Sequence, residues 1–90
     1  MGQMEERQKE MREALAQITV EAEAGDGAVK VTANANRRII NISFDKKLLD
    51  WEDAEQLEDL VTVAVNRALE LAAQKENEAA QNMVQSMLPP

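Results

Sequence analysis

Cysteine and histidine are both missing from this 90-residue chain. Without cysteine there is no disulfide staple and no thiolate to ligate a metal or attack a substrate. Without histidine the chain lacks the commonest general base near neutral pH and the commonest metal ligand. The aromatics reduce to Phe44 and Trp51, too few to form a platform on which single-stranded bases stack. Glycine occurs three times and proline only at Pro89-Pro90, so there is no Gly-rich phosphate loop and no flexible linker. No nucleophile stands beside a base, and no cofactor fingerprint is present. The expectation is a non-enzyme with no cofactor and no metal. No apolar run approaches the ~20 residues that cross a bilayer. The N-terminus has no apolar signal core, and Glu6 stands where a myristoylation site needs Ser or Thr. The expected location is cytoplasmic, with no membrane partner.

What is there is charge, mostly of one sign. The net charge is −7, from 17 acids against 10 bases. It is unevenly spread: residues 50–90 carry nine acids and two bases, whereas residues 18–49 carry four acids and five bases. A surface for DNA would have to be local, built from the first helix and a strand turn. Glu52, Asp53, Glu55, Glu58 and Asp59 read as a solvated first helical turn that suits the helix dipole. They lack the pinned loop of a calcium site.

Hydrophobic spacing divides the chain into elements. Met4, Met11, Leu15 and Ile18 fall on one narrow stripe, so residues 1–17 read as a helix. Residues 18–44 read as three strands. The first alternates from Ile18 to Ala24, and Gly25-Asp26-Gly27 supplies a turn. Val29, Val31 and Ala33 face one side of the second strand. Ile40, Ile42 and Phe44 face one side of the third, with Ile39 on the polar side. The expected architecture is α+β: an antiparallel meander with its apolar face covered by helices. Leu48 and Leu49 tuck under the last helix, which Asp50 or Asp53 caps. That helix runs from about 53 to 87, within a helical region of 50–88 closed by Pro89-Pro90. At ~1.5 Å per residue its length is roughly 50 Å, against a diameter of about 30 Å for a compact chain of this size. It must break or project. Its first half is apolar on more than one face, which points to a sheet on one side and a partner on another. The methionines at the helix ends, Met4, Met11, Met83 and Met87, read as gap-fillers of a core or a dimer.

The run Gly27-Ala28-Val29-Lys30-Val31-Thr32-Ala33-Asn34 and the strand end Ile40 to Asp45 are followed by Leu48-Leu49. Glu58-Asp59-Leu60 then leads on to Asn66 and Ala68. In this order the chain resembles the YbaB/EbfC family of bacterial nucleoid-associated proteins, over about residues 4–84. One departure is visible: the family usually reads Asn-Gly-x-Gly at the strand turn, and here the residues are Asn34-Ala35-Asn36-Arg37. The resemblance implies a single α–β–β–β–α domain that forms a homodimer and binds double-stranded DNA, serving chromosome organisation in the nucleoid. It implicates the first helix and the projecting end of the long helix in DNA contact. With the strand turn, that makes Arg7, Lys9, Arg12, Arg37, Arg38 and Lys75 the candidate DNA-binding residues. Met11, Leu15, Leu60, Val61, Ala64 and Ala68 are the candidate dimer interface. The alternative is a protein–protein adaptor whose acidic arm engages other nucleoid or replication proteins, with little direct DNA contact.

Overall fold

The computed structural model describes residues 2–87. Helix α1 (Gly2–Ala16) is followed by strands β1 (Thr19–Ala24), β2 (Val29–Asn34) and β3 (Ile39–Phe44), a 3-10 turn (Lys46–Leu48) and helix α2 (Ala54–Met87). The strands form one antiparallel sheet in the order β1-β2-β3. The end of the last helix at Pro89-Pro90 and the Met87 side chain lie outside the described residues.

Local chemistry sets the element ends. Gly25, Asp26 and Gly27 all take positive φ, and Ala28 N–H donates to Gly25 O at 3.1 Å to close the β1–β2 turn. Asp45 Oδ1 accepts from Lys47 N–H and caps the 3-10 turn. The helix cap is Asp53, whose Oδ1 accepts from Gln56 N–H at 3.1 Å. Asp50 instead accepts from Glu52 N–H in the turn before it. The α2 helix is unbroken over 34 residues, so it projects, and the molecule is 57 Å in its longest dimension.

The core is thin because it is built from small residues. Ala64, Ala68 and Ala72 on α2 are fully buried, four residues apart, against Ala22, Ala24, Val29, Val31 and Ala33 of the sheet. Residues at i, i+4 and i+8 share a helix face, and alanine there lets the helix axis approach the sheet closely. Val29 and Val31 are the largest fully buried side chains. Leu49 reaches this core and Leu57 and Leu60 pack against it, but Leu48, expected under the last helix with Leu49, is exposed, as are Ile39, Ile40, Ile42, Phe44 and Trp51.

Two expectations are corrected here. The sheet is covered by one helix, α2, lying over β1 and β2. The α1 helix buries only Leu15 and extends beside the far half of α2, where Arg7, Glu10, Met11, Ala14 and Met83 line an open groove of about 330 Å³. In β3 the register slips by one residue between Thr32 and Ala33, so Ile39 is the partner of Ala33. Directly paired residues of an antiparallel ladder project from the same face. Ile39 is therefore on the apolar side with Ile42 and Phe44, because an inserted residue reverses the alternation read from the sequence.

Candidate nucleic-acid interface

The β2–β3 turn is organised around one buried polar residue, Asn34. Its Oδ1 accepts from Asn36 N–H at 3.0 Å and from Arg38 N–H at 3.3 Å. Its backbone N–H donates to Arg38 O, and its backbone O accepts from Arg37 N–H. Asn is suited to this work because its amide oxygen reaches the backbone two residues on. The turn then fastens α1: Ala35 N–H donates to Ile18 O and Leu15 O, and Asn36 Nδ2 donates to Arg12 O at 2.8 Å. It also meets α2, where Arg37 Nε lies 3.6 Å from Glu76 Oε1.

These contacts bring three elements to one end of the sheet. Arg12 is tied to the turn that carries Arg37 and Arg38, and Arg7 lies further along α1 beside Met83 of α2. Lys9 neighbours Arg12 at i,i+3 but not Arg7 or the groove. Two residues from Met11, it is roughly 200° around the helix, away from the groove. Lys75 is exposed and paired with Glu78 at 3.4 Å. The surface is mixed: Glu10 and Glu76 stand among the arginines.

Arg37 occupies the left-handed region, with φ 61°. For an L-residue with a β-carbon this costs about 1–2 kcal/mol. Its one ion pair among the described residues is a single Nε contact with more than half of the arginine side chain in solvent, and such pairs return about 0.2–1 kcal/mol. The exchange is at best neutral for stability.

The residues expected at a dimer interface are placed differently from one another. Ala64 and Ala68 are enclosed by the chain's own sheet and Leu15 is buried, leaving them no free surface. Leu60 packs on the Gly25 turn, and Val61 and Met11 are half-buried. Exposed apolar side chains cluster on the β3 side, with others along α2 at Val63, Leu71, Met83 and Val84. Ile39, Ile42 and Phe44 line one face of that strand, and Trp51 meets Phe44 edge-on with ring centroids 5.5 Å apart. In the sequence the apolar periodicity of α2 is the stronger signal of a partner surface, and the alternation of β3 is that of an ordinary covered strand.

The two sheet edges also differ. Ala35 N–H bonding Ile18 O sets the phase of the β1–β2 ladder, because bonded and non-bonded pairs alternate. Glu23 O accordingly points to the outer edge of β1, where Arg67 Nη1 donates to it at 2.9 Å. On the other side Asp45 N–H bonds Ala28 O, which turns the peptide groups of Ile42 and Phe44 outward. No side chain among the described residues caps them.

The YbaB/EbfC DNA-binding family model matches residues 1–87. The chain is 49% identical over 67 residues to a nucleoid-associated protein of Thermoanaerobacter pseudethanolicus, covering 74% of this chain and 60% of that protein. It is 44% identical over 79 residues to a nucleoid-associated protein of Moorella thermoacetica, covering 77% and 76% respectively. The chain thus spans about 60% of the length of the first of these relatives. The fold is similar to that in the crystal structure of an uncharacterized Helicobacter pylori protein, with a TM-score of 0.74, 22% identity, and coverage of 92% of this chain and 87% of that one.

Proposed function

This chain belongs to the YbaB/EbfC DNA-binding family, and from that membership we propose that it binds double-stranded DNA as a homodimer, with little sequence preference, in the bacterial nucleoid. Binding works through phosphate contacts and counterion release, with no base readout. The observation that carries this reading is the turn at Asn34, which ties α1 to β2–β3 and meets α2, bringing Arg12, Arg37 and Arg38 to one end of the sheet with Arg7 further along α1. A dimer doubles that set. Lys9 and Lys75 sit on the same projecting helices and add positive charge at their outer sides.

Dimerisation is supported by the β3 side. Burying Ile39, Ile42, Phe44, Leu48 and Trp51 against a second copy covers the cluster of large apolar residues that one chain leaves open beside β3. Its free edge accepts a strand, while Arg67 occupies the opposite edge. Exposed apolar edge strands favour association. No helix of the described residues is long and apolar enough to cross a membrane.

The test is fluorescence anisotropy of the pure protein on two unrelated duplexes at several salt concentrations. Neutralising about four to six phosphates gives a slope of roughly −4 to −5 in log K against log salt, alike for both sequences. Arg37→Glu with Arg38→Glu weakens both. A second reading, the protein–protein adaptor, is favoured by the acidic second half of the chain and by the pairing of Arg37 and Lys75 with Glu76 and Glu78. It requires little binding even at low salt and no response to charge reversal.

A further inference from the structure

Arg37 is the surface residue that fold stability explains least. Two non-glycine residues among those described have positive φ, Asp26 and Arg37. Asp26 lies between two glycines in a turn, and aspartate tolerates this region through local hydrogen bonds of its short side chain. Arginine has no such compensation. The backbone bonds that close the turn run through Asn34 and the Arg37 N–H, and they form whatever side chain position 37 carries. Glycine would adopt this φ without strain. The guanidinium gains only the Glu76 contact through Nε, and its terminal amino groups have no hydrogen-bond partner among the described residues. Those amino groups form the fork that grips a phosphate with parallel hydrogen bonds. Strain retained without structural return is a sign of function.

We propose that Arg37 is a dedicated phosphate-contacting residue, presented in a strained conformation by the Asn34 turn, and that the Glu76 carboxylate is its resident counter-charge, which a DNA phosphate replaces. This rests on the DNA-binding reading above and sharpens it: of the six basic candidates, Arg37 alone is held where stability disfavours it. The carboxylate competes with phosphate for the guanidinium and, as an exposed single contact, lowers affinity by at most about fivefold.

The proposal requires stability and affinity to move in opposite directions in one variant. Arg37→Gly removes the strain and the guanidinium together. Its thermal midpoint is expected to equal that of the parent or exceed it by up to about 5 °C. Its affinity for a duplex falls roughly tenfold, and the salt slope becomes shallower by about 0.9 for each phosphate no longer neutralised. Glu76→Gln frees the arginine and binds more tightly, by up to about fivefold. The measurements are anisotropy on two duplexes and thermal melting of the full chain. An Arg37→Gly protein that binds with the parent's affinity and slope overturns the proposal, as does one that melts well below the parent, which would make the arginine structural. A Glu76→Gln protein that binds more weakly overturns the counter-charge. If the parent itself shows no salt-dependent binding, the DNA reading fails with it. If the parent binds and Arg37→Gly is indistinguishable, the assignment of Arg37 fails alone.

Discussion

Ile42→Asp tests the dimer at the middle of its proposed seam. Ile42 is paired with fully buried Val31, yet it is 39% exposed because α2 does not reach over β3. That leaves roughly 70 Å² of each side chain open, and two copies sealing about 140 Å² gain about 3–4 kcal/mol at ~25 cal/mol per Å². Replacing both isoleucines by aspartate loses this and places two unpaired carboxylates at a dry seam, for several kcal/mol more. At about 1.4 kcal/mol per tenfold, the dissociation constant rises by about a thousandfold or more. In an isolated chain the same change sits at a half-open edge and costs about 1 kcal/mol. Sedimentation equilibrium at low micromolar concentration separates the cases: the parent gives twice the chain mass, and the variant gives the chain mass or unfolds. Trp51, the sole tryptophan, supplies a second readout. It is 52% exposed in the single chain and touches Phe44, so dilution of the parent shifts its emission to longer wavelength as the seam opens. A parent that is folded and monomeric, or a variant that sediments as the parent does, refutes the reasoning.

Leu60→Asp unfolds the protein and does not merely weaken DNA binding. Leu60 is half-buried where it packs on Gly25 and the core; losing that contact and partly burying an unpaired carboxylate removes a large part of the ~5–15 kcal/mol available to a small domain, and unchanged circular dichroism and midpoint would contradict this. Gly25→Ala destabilises by about 1–3 kcal/mol in chemical denaturation, since φ is +67° and the new Cβ would lie 3.1 Å from a Leu60 methyl and 3.2 Å from Ala28 Cβ. A wild-type denaturation midpoint would show that the turn relaxes freely.

The sequence alone determined the elements. The period of three to four in α1 and α2, the alternation in β1 and β2, the glycines at 25 and 27, and an aspartate cap at Asp50 or Asp53 are local signals, and local backbone energetics obeys them. The helix too long for its domain was legible by arithmetic on residue rise. The family resemblance was legible as well, because it is carried by short runs of residues. Tertiary structure alone decided the rest. That Ala64 and Ala68 lie under their own sheet, while Ile39, Ile42 and Phe44 stay open, depends on where one helix settles across three strands. The alternation that marks a covered strand is the same whether the cover comes from its own chain or another. The β3 bulge moved Ile39 to the apolar face, and a single inserted residue leaves no mark in a run of two isoleucines. The pairing of Arg37 with Glu76 joins residues far apart in the chain, and the positive φ at Arg37 comes from closing a turn without glycine. Charge counting finds arginines. Which of them are held under strain, and against what, is settled only when the backbone is bent and the helix laid beside it.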